Sequence, residues 1–244
     1  MAGKVIAVAQ QKGGSGKTTI AVNLAVAFLR QGQSVALLDT DPQGSLGRWF
    51  MTRRERMGEP GVEFTTSSAW GVSYECEKLK RGVDVVIIDT PPKVDADLRP
   101  ALREADLVLV PVASSHVDLW ATEGVIDLAR REGKRAVIVM NRARAGTRLS
   151  EEVAAAAQAL DADVSDAALA NRVVYAEALG EGMGALEHAR RGPAAREVAR
   201  ALGTSPAQLA RLLDPANRRK SVDQMVRLLV ALGKRVDLRV RAGA

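Results

Sequence analysis

Residues 11–19 read Gln-Lys-Gly-Gly-Ser-Gly-Lys-Thr-Thr, and this glycine-rich stretch decides the fold. It lies between an apolar strand pattern at 5–9 and a helix pattern at 17–31. A loop in that position directs backbone N–H groups and the positive end of a helix toward phosphate oxygens. In such a loop Lys17 reaches the β- and γ-phosphates, and the Thr18 hydroxyl is placed to ligate Mg²⁺. The stretch therefore predicts a nucleotide site.

The loop departs from the common G-x-x-x-x-G-K-[ST] pattern at its first position. Gln11 stands where that pattern has glycine, and a second lysine, Lys12, lies inside the loop. A glycine-rich turn with incidental lysines is the alternative, but strand, loop and helix follow one another in the order that phosphate binding requires. The residues interpreted as nucleotide-binding are Gln11, Lys12, Gly13, Gly14, Ser15, Gly16, Lys17, Thr18 and Thr19.

Short apolar runs alternate with helix-period segments along the chain. Strands are predicted at 5–9, 35–39, 62–65, 83–89, 107–112 and 136–141. Helices are predicted at 17–31, 44–56, 70–81, 97–104, 119–132, 149–160 and 174–181. The runs at 83–89 and 107–112 are almost continuously apolar, which is typical of parallel strands buried on both faces. The pattern predicts an α/β fold with a doubly wound, mostly parallel sheet and ligands at the carboxyl ends of the strands.

Polar side chains follow three of these strands. Asp89 ends an apolar run and fits a role in holding Mg²⁺, directly or through water. Asp39 and Asp41 begin the loop after the second strand, where a carboxylate can orient a water toward the γ-phosphate. Asn141 carries a donor and an acceptor on one amide, which suits a purine edge. Each aspartate has an alternative interpretation as a cap of the following helix.

Taken together, these residues resemble the ParA/MinD partition ATPases, which carry a deviant Walker A box, and especially the compact ParA branch. The resemblance spans roughly residues 3 to 200. It rests on residues 12–19 (KGGSGKTT), 39–44 (DTDPQG), 89–92 (DTPP), 141–142 (NR) and 174–178 (VYAEA). Residues 118–121 (DLWA) and 144–149 (RAGTRL) are similar to compact members of the family. His116 departs from that pattern and is interpreted as a turn residue.

The resemblance implies a homodimer that encloses ATP and Mg²⁺ between two subunits. Lys12 would reach the phosphates of the other subunit, Lys17 would hold the β- and γ-phosphates, and Asp41 would position the attacking water. Thr18 would ligate Mg²⁺, and Asp89 would support it through water. Asn141 and Arg142 would complete the ATP site. The catalytic set is therefore Asp41, Lys12, Lys17 and Asp39. Turnover would be slow and stimulated by a partner protein, either ParB-like or a cargo adaptor.

The last part of the chain carries the net charge. Residues 201–244 hold nine Lys or Arg and three Asp, an excess that equals the +6 of the whole chain. We expect an ATPase domain at 1–192 and a small, mainly helical extension at 193–244 that is similar to helix-turn-helix domains. A helix at 193–202 would also serve as the last helix of the ATPase fold. The expected DNA contacts are Arg211, Arg218, Arg219 and Lys220. The alternatives are that this region packs on the ATPase or, less readily, binds a membrane surface.

These features predict an ATP-dependent partition or positioning ATPase that binds DNA without sequence preference and moves a plasmid, a chromosome locus or a protein cargo. The alternative is an autorepressor whose ATP-controlled dimer binds a specific DNA sequence. Cys76 is the only cysteine, which excludes a disulfide within the chain. No apolar run approaches the roughly 20 residues needed to span a bilayer. We expect a cytoplasmic, nucleoid-associated protein that does not bind membranes.

Overall fold

A computed structural model describes residues 3–92, 97–144 and 146–201. Within these residues the predicted α/β fold is confirmed as a seven-stranded sheet in which all strands are parallel. The strands are β1 (Lys4–Val8), β2 (Val35–Asp39), β3 (Glu63–Thr66), β4 (Val85–Asp89), β5 (Leu107–Ala113), β6 (Ala136–Asn141) and β7 (Asp163–Val164). Their order across the sheet is β3-β2-β4-β1-β5-β6-β7.

The strand order brings the predicted polar residues to one edge of the sheet. β1 lies between β4 and β5, so the glycine-rich loop leaves the sheet near its centre. Val8 lies opposite Asp89 in the register of β1 and β4, and Asp39 lies opposite Asp89 in the register of β2 and β4. Because parallel strands end at the same edge, the loop and the two aspartates share one crevice, the usual ligand position of open α/β sheets.

Helices cover both faces of the sheet within the described residues. They are α1 (Lys17–Leu29), α2 (Ser45–Met57), α3 (Val72–Leu79), α4 (Arg99–Glu104), α5 (His116–Arg131), α6 (Arg148–Ala157), α7 (Val173–Gly180), α8 (Ala185–His188) and α9 (Pro193–Ala201). Buried side chains of α1, α2, α7, α8 and α9 form one apolar cluster with the sheet, and those of α3, α4, α5 and α6 form the other. Successive strand residues such as Leu37 and Leu38 join opposite clusters, as strand geometry requires.

Two short elements, β7 and α8, were not predicted from the sequence. The edge strand β7 contributes only Asp163 and Val164, and α8 is a single turn, so neither is long enough to show a period. The segment predicted as one helix at 70–81 is instead a 3-10 turn, Ala69–Gly71, followed by α3.

The start of α5 also differs from the expectation. The interpretation of His116 as a turn residue is wrong, because α5 begins at His116 rather than at 119. Ser115, with extended backbone angles, occupies the position before the helix, which is where such angles are expected.

The helix predicted at 193–202 is present as α9 and packs against α1. Ala194, Ala195 and Val198 are buried in the same cluster as the apolar side chains of α1. The first helix of the proposed extension thus contributes to the core of the ATPase fold. The rest of the extension, including the helix-turn-helix prediction, lies outside the described residues. No helix in the described ranges is long and apolar enough to cross a bilayer.

Candidate nucleotide site

The glycines of the loop are required by its backbone. Gly14 and Gly16 have φ angles of 75° and 91°, which residues with a Cβ rarely adopt. A Cβ at Gly16 would also collide with the side-chain amide nitrogen of Asn141. Gly16 directly precedes α1, so the tight turn delivers the loop to the N-terminus of that helix. This is the arrangement in which loop amides and a helix dipole bind phosphate together.

Asn141 holds this loop from below. Its Nδ2 donates a hydrogen bond of 2.7 Å to the backbone oxygen of Ser15, and the residue is only 3% exposed. The predicted contact of Asn141 with adenine stays a prediction, but the structure gives the side chain a positioning role. The hydroxyl of Ser15 is itself buried and has no hydrogen-bond partner among the described residues.

The floor of the site joins the loop to β4. The Thr18 hydroxyl donates a hydrogen bond of 2.6 Å to Asp89 Oδ2. Lys17 is 7% exposed, and burial lowers the pKa of its ammonium, while Asp89 and Asp41 oppose that shift. Lys17, Thr18 and Asp89 are therefore brought together at the carboxyl edge, as the sequence predicted.

Asp89 is suited to a cation. Burial raises the pKa of its carboxyl to about 7, and the hydrogen bond from Thr18 opposes that shift. Its Oδ1 is buried and finds no hydrogen-bond partner in the part of the chain that is described. A buried polar atom without a partner is costly, and Mg²⁺ or a water bound to it would satisfy this oxygen. The donor set therefore fits the predicted magnesium ion.

The two aspartates at the end of β2, Asp39 and Asp41, have different surroundings. The carboxylate of Asp39 is buried and accepts hydrogen bonds from the backbone N–H groups of Asp41 and Gly47, at 3.0 and 3.1 Å. Burial raises the pKa of Asp39, while these two donors lower it. Asp41 is half-buried, lines the cleft and accepts a hydrogen bond from the N–H of Gln43. Asp39 thus holds the loop, and Asp41 is the carboxylate presented to a ligand.

The second loop lysine, Lys12, directly precedes the cleft residue Gly13. It lies at the edge of the loop next to α5, and this edge is called the rim. The Lys12 ammonium forms an ion pair of 2.5 Å with Asp118 Oδ2 on α5. The side chain of Asp118 is 5% exposed and that of Lys12 is 38% exposed. Gln11 also lies toward α5, where its side chain is next to Gly124. Gln11 and Lys12 are therefore turned to α5, and neither lines the cleft described next.

A cleft of about 610 Å³ opens above the loop. The predicted site residues that line it are Gly13, Gly14, Gly16, Lys17, Thr18, Thr19, Asp41 and Arg142. Arg142 has a φ angle of 51°, an uncommon conformation for a residue with a side chain. The cleft is wide enough and polar enough for a nucleotide, and its floor carries the phosphate-binding loop.

The model of the ATPase MipZ family matches residues 4–136, more than half of the chain. The chain belongs to this family. The protein is thus a deviant Walker A ATPase of the ParA/MinD/MipZ group, as the resemblance implied. The match includes the loop, the two aspartates at the end of β2 and Asp89 on β4.

Curated relatives of this MipZ-family ATPase include proteins of two kinds. Maintenance of carboxysome distribution protein A from Halothiobacillus neapolitanus is 29% identical over 198 residues, which cover 79% of this chain and 91% of that protein. The chromosome-partitioning ATPase Soj from Thermus thermophilus is 36% identical over 149 residues, which cover 50% of this chain and 59% of Soj.

Solved structures share the fold of the MipZ-family ATPase. The plasmid partition protein of Borrelia burgdorferi bound to AMPPNP has a TM-score of 0.67 at 19% identity, with 82% of this chain and 97% of that chain covered. MinD from Pyrococcus horikoshii, complexed with Mg-ADP, has a TM-score of 0.68 at 17% identity, with 90% and 99% covered.

Several residues of the cleft were missed from the sequence. They are Gln43, Ser45, Arg48, Trp49 and Thr52 on and before α2, Pro92 after β4, and Leu179 and Gly180 on α7. The spacing of Ser45, Arg48 and Thr52 places them on one face of α2, which is a signal that could have found them. The predicted DNA contacts Arg211, Arg218, Arg219 and Lys220 lie outside the described residues and stay predictions.

Proposed function

We propose that this MipZ-family ATPase is a ParA-like positioning ATPase. It forms an ATP-sandwich homodimer, binds DNA without sequence preference and hydrolyses ATP slowly until a partner protein stimulates it. The cargo is a plasmid, a chromosome locus or a protein assembly. The observation that carries this proposal is the separation of the two loop lysines, with Lys17 on the floor of the cleft and Lys12 at its rim beside Asp118.

The floor supplies what phosphoryl transfer requires of a protein, which is positioning and charge neutralisation. Loop amides and Lys17 bind the β- and γ-phosphates. Thr18 and Asp89 would hold Mg²⁺, which neutralises charge on the phosphates when it is bound. Asp41 accepts a hydrogen bond from the attacking water and orients it. Asp39 keeps the backbone of Asp41 in place through the hydrogen bond between them.

Lys12 at the rim would couple nucleotide binding to dimerisation. Lys12 has a long, flexible side chain that is partly exposed, so it can leave Asp118 and reach the phosphates of a second subunit. A cation supplied in trans to a transferring phosphate is worth roughly 10³–10⁵ in rate. A dimer built on this contact exists only with the triphosphate in place, and hydrolysis releases it.

Light scattering tests the dimer. With a non-hydrolysable ATP analogue and Mg²⁺, the wild-type protein should double its mass, and Lys12→Gln should remain monomeric. Lys4→Gln is the matched control, because Lys4 forms an exposed ion pair with Asp106 at the other end of the sheet. An unchanged wild-type mass, or a Lys12→Gln dimer, would refute the proposed assembly.

The DNA-binding part of the proposal is supported by the basic end of the chain and by the partition names of its relatives. Binding of random duplex should require ATP and weaken with salt, with a log–log slope of about −0.9 per neutralised phosphate. Replacing Arg218, Arg219 and Lys220 by alanine should flatten that slope. A preference above about 10³ for one promoter fragment would instead favour the autorepressor.

A further inference from the structure

One arginine in the cleft has a charge that the described residues leave uncompensated. Arg48 is exposed, lies on α2 and lines the cleft beside the loop. On the same helix, Arg53 is paired with Glu187 and Arg56 with Glu181. Arg48 makes no ion pair or side-chain hydrogen bond with any residue that the structure describes.

The charge of the cleft lining is unbalanced as well. Among its described residues, three cations, Lys17, Arg48 and Arg142, face a single carboxylate, that of Asp41. Asp41 lies close enough to act on the charge of Lys17, which leaves the two arginines without an acidic partner inside the cleft. An excess of positive charge within a concave site attracts an anion.

Arg48 also lies near the positive end of its helix. It is one turn from the N-terminus of α2, and the first turn contains no acidic residue. The positive end of a helix dipole disfavours a cation and favours an anion. A guanidinium at that place without a carboxylate is suited to bind an anionic ligand, and its planar fork matches phosphate oxygens.

We propose that Arg48 binds the terminal phosphates of the nucleotide held in this cleft. The proposal rests on the proposed ATP site and adds a residue to it. The cleft-facing residues of α2 begin at Ser45, just after the loop of Asp41 and Gln43, so Arg48 is one helical turn from that loop. Arg48 would then bind the phosphate chain together with the loop and with Arg142, which lines the same cleft.

Calorimetric titration of the full-length protein tests this assignment with a non-hydrolysable ATP analogue, ADP and AMP in excess Mg²⁺. Arg48→Gln should weaken the analogue about tenfold, as expected for loss of a charge-assisted hydrogen bond. The substitution should weaken the binding of ADP less and leave the affinity for AMP within about twofold of wild type, because AMP lacks the terminal phosphates. Arg48→Lys keeps the charge but not the planar fork of the guanidinium, so its affinity for the analogue should lie between those of wild type and Arg48→Gln.

Arg54→Gln is the matched control. Arg54 is also an exposed arginine of α2 without an ion pair among the described residues, but it does not line the cleft. Equal unfolding temperatures for the two glutamine variants would show that a loss of binding is not a loss of folding.

Three results of the nucleotide titrations would overturn the proposal: wild-type affinity of Arg48→Gln for the analogue, an equal loss for all three nucleotides, or an equal loss in Arg54→Gln. A fall in duplex-DNA affinity with nucleotide affinity unchanged would also overturn it, in favour of nucleic-acid phosphates. A wild-type protein that binds no ATP would instead refute the proposed function, so the two failures are distinguishable.

Discussion

The floor and the rim of the cleft each pair residues of the loop with a buried aspartate, but they are built differently. On the floor, Thr18 and Lys17 meet Asp89 in a site from which water is largely excluded. At the rim, Lys12 meets Asp118 with more than a third of its own side chain exposed. The floor is a site that one chain completes alone. In the proposed dimer, the ion pair at the rim is exchanged for a contact between Lys12 and the partner subunit.

The largest expected effect on ATP turnover is at Asp41, which belongs to neither of these two pairs. Asp41→Asn should lower ATP turnover by about 10²-fold or more, because the amide oxygen that replaces the carboxylate carries no charge and cannot take a proton from the attacking water. Nucleotide affinity and ATP-dependent dimers should remain. Single-turnover hydrolysis with labelled ATP measures the effect, and Asp161→Asn, which changes an exposed carboxylate that does not line the cleft, is the control. Unchanged turnover would remove Asp41 from the mechanism.

The two lysines separate floor from rim directly. Lys17→Gln should weaken ADP about hundredfold, since it removes charge-assisted hydrogen bonds from a buried site. Lys12→Gln should leave ADP affinity within about threefold, because Lys12 does not line the cleft of its own chain. Titration of both variants with ADP makes the comparison without dimerisation. Equal losses in the two variants would contradict the distinction between floor and rim.

The stability of the metal-free protein should depend on pH through Asp89, on the floor of the cleft. Burial raises the pKa of this carboxyl to about 7, from an ordinary value near 4. The metal-free folded protein therefore keeps a proton that the unfolded chain releases between about pH 4 and pH 7, so its free energy of unfolding should fall as pH rises through that window.

Asp89→Asn should reduce this slope to the part that Asp39 contributes through its own raised pKa, and it should stabilise the metal-free protein at pH 7.5 by about 1–3 kcal/mol. Urea unfolding in EDTA at several pH values checks it. The same pH dependence in wild type and variant would show that another group is responsible.

The smallest expected effect on stability and affinity is at Asn141, which supports the loop through Ser15. Asn141→Ala removes the hydrogen bond to Ser15 and leaves a buried carbonyl without it, which should cost about 1 kcal/mol of stability. Nucleotide affinity should fall a few-fold, since the loop is less well ordered. If stability falls but ADP affinity does not change, the loop does not need this support. Urea unfolding and titration with ADP give the two values.

Much of the fold could be predicted because its signals are local. The almost unbroken apolar runs of β4 and β5 indicate parallel strands, and the glycines of the loop mark the turn before α1. The elements that were missed, β7 and α8, are shorter than one period of any pattern. The start of α5 was misplaced because His116 was interpreted as a turn residue, whereas the extended backbone ends at Ser115 and the helix begins at His116.

Part of the site could be predicted for the same reason. The residue types of the loop, together with an aspartate at the end of an apolar strand, indicate phosphate and magnesium chemistry without knowledge of their neighbours. Arg48 was missed because a helical arginine has no distinctive sequence context. The different surroundings of Asp39 and Asp41 could not be predicted either, since both follow the same strand and only the fold shows which one is buried.

The sequence by itself determined the chemistry of this protein: a glycine loop with two lysines, strands buried on both faces, and carboxylates at their ends. The tertiary structure alone decided which groups meet. Thr18 and Asp89 are 71 residues apart, Lys12 and Asp118 are 106 apart, and Ser15 and Asn141 are 126 apart. Residue type and local period are fixed by neighbours along the chain. Contacts across such distances depend instead on strand order and register, which form only when the whole sheet packs.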